Sequence, residues 1–246
     1  MSGVKNRLLT HCYGALLDFV YPAHCSACDA RIHDGAPSLC RSCAELLEML
    51  DPSERCPTCF GEVAMEGSSC LQCSLRSPLW DGRAAVFGYR DTAAAVVRQL
   101  KYGNKPYLAS AAGAYMALQA TRLEWPVPDV IIPVPIPWPR RLERGYNQSR
   151  LLAEALTPLW GGSVADVLDR NAGDWSQAGL SSSQRRELTA ERFHVKKGVN
   201  LSGKIVCLVD DVITTGSTLE ACGELVLRND VAALYALTLC RAEKIH

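Results

Sequence analysis

Four Cys-x-x-Cys pairs fall before residue 74 of this chain: Cys25/Cys28, Cys40/Cys43, Cys56/Cys59 and Cys70/Cys73. Such a knuckle brings two thiolates to one side of a tight turn, which is half of a tetrahedral zinc site. Two knuckles complete a four-sulfur set, so the eight cysteines supply two sets with no ligand left over. Sequential pairing is the simplest arrangement, with Cys25, Cys28, Cys40 and Cys43 in one set and Cys56, Cys59, Cys70 and Cys73 in the other. A cross-braced arrangement, first pair with third and second with fourth, satisfies the spacing as well. The segment is short and poor in large apolar residues, so bound metal is expected to supply much of its folding free energy. Residues 25–79 are read as a double zinc ribbon holding two structural Zn2+ ions.

Disulfides are the competing use of so many cysteines, and the residues before the first knuckle argue against them. Lys5 and Arg7 precede an apolar stretch from Tyr13 to Tyr21, but Gly14 and Asp18 interrupt it and no small-x-small cleavage site follows. Leu8, Leu9, Cys12, Leu16, Leu17 and Val20 instead fit the stripes of an amphipathic helix, expected within residues 1–24. No stretch reaches transmembrane length. A cytoplasmic protein is expected, in a compartment that keeps thiols reduced. The formal net charge is zero, which excludes a globally basic nucleic-acid binder. Residues 1–80 hold six lysines or arginines and nine aspartates or glutamates, and each zinc bound by four thiolates adds more negative charge. A DNA-gripping zinc finger has the opposite balance. The module is read as structural, or as a contact surface for a partner protein.

From about Trp80 the pattern changes to alternating strands and helices. Strands are expected at Ala84 to Tyr89, Asp129 to Pro135, Val164 to Leu168, Lys204 to Val209 and Ala233 to Leu239. Helices are expected at Thr92 to Leu100, Leu108 to Leu123, Gln148 to Leu156 and Thr215 to Leu227, with a polar, irregular stretch from Asn171 to Phe193. This alternation predicts an α/β domain over residues 80–246 with a mainly parallel sheet covered on both faces. Cys207, Cys222 and Cys240 lie within these apolar patterns and read as core residues. In such sheets ligands bind beyond the carboxyl ends of strands.

The sharpest signal follows a strand. The run Val206-Cys207-Leu208-Val209 leads into Asp210 and Asp211, then Val212-Ile213-Thr214-Thr215-Gly216-Ser217-Thr218-Leu219. A turn of small and hydroxyl residues opening a helix presents backbone N–H groups and hydroxyls to a phosphate. Gly216 lets the backbone approach without a side chain in the way. Two carboxylates beside an anion site fit a phosphorylated sugar whose hydroxyls need acceptors. A second segment, Asp129 to Pro135, runs toward Arg140, Arg141 and Arg144, a group able to face a highly charged anion.

In this motif the sequence resembles the type I phosphoribosyltransferases, and more closely the ComF family, which joins a cysteine-rich zinc module to such a domain. The resemblance spans nearly the whole chain. It includes the Cys-x-x-Cys pairs, Leu100-Lys101-Tyr102-Gly103, Arg144-Gly145-Tyr146-Asn147-Gln148, Gln177-Ala178-Gly179-Leu180, Arg185 and the run from Val206 to Leu219. It implies binding of 5-phosphoribosyl-1-pyrophosphate (PRPP) with Mg2+. Asp210 and Asp211 would hold the ribose hydroxyls, and Thr214, Thr215, Gly216, Ser217 and Thr218 the 5-phosphate. Arg140, Arg141 and Arg144, with Lys101 or Arg185, would face the pyrophosphate, and Asp210, Asp211, Arg144 and Lys101 are the catalytic candidates.

Three functions follow from that resemblance. One is phosphoribosyl transfer to an acceptor that no stretch of the sequence names. Another is a non-catalytic role in handling single-stranded DNA, with Trp138, Tyr146 and Trp175 as stacking candidates along basic segments. The third is a PRPP-sensing regulator whose zinc module docks a protein.

Overall fold

The computed structural model describes residues 23–32, 38–75, 78–170 and 192–242. The helix expected within residues 1–24, the Gln177–Leu180 motif, Trp175 and Arg185 lie outside these residues or almost entirely so. The chain divides into two compact units, Met1–Leu47 and Glu48–His246. In the first unit, a bridge between His24 and Arg31 closes the first knuckle, and a short helix α1 (Arg41–Glu45) follows Cys40.

The second unit opens with a similar sequence of parts. A bridge between Arg55 and Glu62 closes the knuckle of Cys56 and Cys59, and Cys70 leads into helix α2 (Leu71–Ser74). The unit's main body is built from strands β1 (Gly82–Gly88), β2 (Val130–Pro133), β3 (Ser163–Val164), β4 (Leu168–Arg170), β5 (Phe193–Val195), β6 (Ile205–Ile213) and β7 (Ala233–Arg241). Its helices are α3 (Asp91–Tyr102), α4 (Leu108–Arg122), α5 (Trp138–Arg144), α6 (Gln148–Trp160) and α7 (Ser217–Leu227).

Five strands form one sheet in the order β1-β7-β6-β2-β3, and every neighbouring pair is parallel. The expected α/β class and mainly parallel sheet are found. Strands buried on both faces read as continuous apolar runs, and Val206, Cys207, Leu208 and Val209 of β6 are fully buried. Cys207, Cys222 and Cys240 are core residues, their thiols held in the neutral form chiefly by burial.

The second four-cysteine segment is fastened to this sheet. Leu50 N–H donates to the Val86 carbonyl of β1 at 2.8 Å. Gln119, fully buried in α4, donates to the carbonyls of Leu50 and Ala85. Arg241, at the end of β7, donates through Nη1 to the Cys59 carbonyl at 2.9 Å.

Several boundaries differ from the sequence reading. The expected strand Val164 to Leu168 is two strands, because the chain leaves β2 after two paired residues and then pairs antiparallel with β5. That places a two-stranded ribbon on either side of residues 171–191. β6 runs on past Val209 to Ile213, its ladder with β7 continuing through Asp210, Val212 and Ile213 despite the poor strand propensity of aspartate. α6 passes Pro158 and stops at Gly161, whose N–H bonds the Thr157 carbonyl. The arginine-bearing segment after β2 forms α5, which Gly145 ends in the left-handed conformation at φ +77°.

Candidate functional site

Asp210 and Asp211 lie near the carboxyl end of β6, the central strand. Successive strand residues point to opposite faces, and the two carboxylates have different partners. Asp210 Oδ1 accepts hydrogen bonds from Ser149 Oγ at 2.8 Å and from the Asp211 N–H at 2.9 Å. Ser149 is fully buried in the first turn of α6. Asp211 is 3% exposed; its Oδ1 stands 2.7 Å from Lys101 Nζ, and its Oδ2 has no hydrogen-bond partner among the described residues. Burial, with the like charge of Asp211, pushes the Asp210 carboxyl up to about 7, against the opposing effects of Ser149, the Asp211 N–H and Lys101.

The segment Arg144 to Gln148 positions this pair. Asn147 caps α6 by accepting from the Ser149 N–H, and its amide donates to the Val134 carbonyl beyond β2. Tyr146 donates through its hydroxyl to the Leu100 carbonyl at the end of α3, the residue before Lys101. Arg144 stacks over the Tyr102 ring at 4.9 Å and donates to Gln148 Oε1. Arg140 and Arg141 are exposed on α5, one turn from Arg144.

After Ile213 the chain turns through exposed Thr214 and Thr215 into Gly216, which has φ +85° and begins α7. Gly216 has no side chain to cap α7; Thr215 Oγ1 accepts from the Ser217 N–H at 3.4 Å and lies 2.9 Å from Ser217 Oγ. The first N–H groups of a helix lack internal partners and carry its positive dipole end. The turn therefore directs a positive dipole end outward just beyond the two carboxylates of β6.

Sequence reasoning missed three residues around this centre. Ser149 gave no signal, since its role depends on a partner 61 positions along the chain. Arg170, at the end of β4, lies over the Phe193 ring at 5.0 Å. Burial and the neighbouring guanidiniums of Arg192 and Arg140 lower its pKa, with Cys222 and Asp210 opposing. Arg83, a charge inside the otherwise apolar β1, was visible as an anomaly but lay just outside the expected strand.

The cysteines gather in the sequential arrangement. Cys25, Cys28, Cys40 and Cys43 form one group and Cys56, Cys59, Cys70 and Cys73 the other, with all sulfurs of a group within 4.8 Å of one another. Tetrahedral zinc with Zn–S bonds of about 2.3 Å requires sulfurs roughly 3.8 Å apart. Cys28 and Cys40 stand at 3.7 Å, and Cys59 and Cys70 at 3.6 Å. The donor sets and their spacing fit zinc. Among the described residues no helix is long and apolar enough to cross a membrane.

A parallel sheet whose central strand ends in paired carboxylates and a glycine turn defines a phosphoribosyltransferase-type domain, and the phosphoribosyl transferase domain family matches residues 150–244. Over most of its length the chain is similar to DNA utilization protein YhgH of Salmonella typhi, 31% identical over 89% of this chain and 97% of the relative. It is also similar to Competence protein F of Haemophilus influenzae, 28% identical over 89% of this chain and 96% of the relative. Among solved structures, the purine phosphoribosyltransferase of Pyrococcus horikoshii Ot3 aligns with a TM-score of 0.36 and 20% identity, over 55% of this chain and 84% of that one. The chain belongs to the ComF family of competence and DNA-utilisation proteins, in which cysteine-rich groups accompany a phosphoribosyltransferase-type domain.

Proposed function

We propose that this protein binds PRPP and transfers its phosphoribosyl group to an acceptor nitrogen. The observation that carries the reading is the pairing of Asp210 and Asp211 with the Gly216 turn at the head of α7. Thr214, Thr215, Gly216, Ser217 and Thr218 surround the 5-phosphate, while Asp210 and Asp211 accept from the ribose hydroxyls. Arg140, Arg141 and Arg144, from the α5 side, offset the charge of the pyrophosphate. Asp210 and Asp211 are the carboxylates that would hold a Mg2+ brought in with the substrate, which would supply further charge neutralisation there. In the reaction the bond from the anomeric carbon to pyrophosphate breaks and the acceptor nitrogen forms a bond to that carbon. The protein contributes positioning and charge stabilisation. Ser149 holds Asp210, and Lys101 holds Asp211 until substrate hydroxyls and the pyrophosphate arrive. The two four-cysteine groups each hold one structural zinc.

A second reading draws on the relatives' names and on Trp138, which is 64% exposed on α5 beside Arg140 and Arg141. An exposed aromatic among arginines is a stacking platform for single-stranded DNA. Calorimetric titration with PRPP and Mg2+, alongside a variant carrying Asp210→Asn and Asp211→Asn, separates the two. Binding by the wild type that is lost in the folded variant supports the PRPP site. No PRPP binding, together with strongly salt-dependent binding of a single-stranded oligonucleotide, moves the function to DNA handling.

A further inference from the structure

Arg83 lies on β1, two strands from β6, paired in register with Ala236 of β7. It is 9% exposed, and its side chain runs beneath the start of α7. A Cβ built on Gly216 would stand 2.9 Å from Arg83 Nη1, so the guanidinium lies directly against the turn that opens this helix. Among the described residues its carboxylate neighbour is Glu220, 3.7 Å from Nη1 and 39% exposed. That separation makes an ion pair but is beyond hydrogen bonding, and among the described residues neither Nε nor Nη1, both buried, has a hydrogen-bond partner.

A guanidinium removed from water and left without full hydrogen bonding is destabilising, and a well-packed apolar residue of similar length would serve the core better. Packing alone therefore does not account for an arginine here. The turn above it presents the first N–H groups of a helix, of which that of Ser217 makes only a long 3.4 Å bond to Thr215 Oγ1. A dianionic phosphate seated on that turn would face the helix dipole from outside and the Arg83 charge from below. The low-dielectric layer between them strengthens the attraction relative to water.

We infer that Arg83 is a positioning residue for the phosphomonoester of the ligand, a buried counter-charge that acts through the Gly216 turn rather than by touching the substrate. The inference rests on the PRPP reading and extends it to a residue outside the motif. It also gives Gly216 a second reason to lack a side chain. Besides its positive φ, any Cβ there would displace the guanidinium from beneath the turn.

Ribose 5-phosphate is the probe, because it carries the phosphomonoester and the sugar hydroxyls without pyrophosphate. Its affinity is measured by calorimetry for the wild type, Arg83→Met and Arg83→Lys, and each protein is also melted. Arg83→Met is expected to bind about tenfold more weakly, as loss of a charge-assisted interaction implies, while melting at or above the wild-type temperature. Arg83→Lys is expected to recover most of the affinity. Unchanged affinity in Arg83→Met overturns the inference. So does a lowered melting temperature with equal loss of affinity in both variants, which marks a structural role. A wild type that binds neither ribose 5-phosphate nor PRPP overturns the PRPP reading, and this inference with it.

Discussion

Asp210 is a residue whose chemistry its surroundings alter strongly. Its carboxyl is pushed up to about 7 from an ordinary 3.8, chiefly by burial and by Asp211. In the unfolded chain it ionises near its ordinary value, so between about pH 4 and pH 7 the folded state binds the extra proton. Stability is therefore expected to fall as pH rises through this window, by on the order of a few kcal/mol. The Asp210→Asn variant should show a flatter profile in urea titrations across the same range. PRPP binding should move the other way, strengthening as pH rises through about 7, because the ionised carboxylate is the better acceptor for ribose hydroxyls. Both carboxylates were legible in the sequence, because the motif is contiguous and its residue types are unusual at a strand end. Their partners Ser149 and Lys101 come from distant parts of the chain, and only the closed sheet brings them together.

Among the elements, long apolar strands and the Ala-rich helix were readable from pattern, whereas the β4–β5 ribbon was not. Its strands are three residues each and polar on one side, so alternation had no length over which to register. The tight contact between α4 and α6 was likewise hidden. A Cβ added at Gly113 of α4 would lie 2.7 Å from both the Cβ and the carbonyl carbon of Ala155 in α6. Replacing a mid-helix glycine by alanine ordinarily stabilises an exposed helix by about 1 kcal/mol. Here the backbone contact reverses the sign. Gly113→Ala is expected to cost about 2 kcal/mol, as overpacking of a close contact does. Thermal melts read the difference directly, and an increase in stability would show that the two helices can separate at no cost.

At the scale of the whole molecule, the two four-cysteine groups belong to different compact units. The second is fastened to the sheet through Arg241, Leu50 and Gln119. Cys56→Ser with Cys59→Ser is therefore expected to lower the main melting transition and to release one zinc of about two per chain. Cys25→Ser with Cys28→Ser should release the other and leave that transition nearly in place. Equal shifts in both variants would contradict this independence; calorimetric melts with metal analysis provide the comparison. The sheet order has a consequence in time as well as in space. β7, the last strand among the described residues, is inserted between β1 and β6 and is bonded to both. On the ribosome, β1 therefore waits for a neighbour that emerges some 150 residues later, as the register Gly82 to Tyr235 implies. Until then the edge of β1 that β7 covers stays open, although Leu50 already bonds the Val86 carbonyl on that strand, and an open apolar edge invites mispairing. A chain cut before residue 233 would lose the strand that joins β1 to the rest of the sheet.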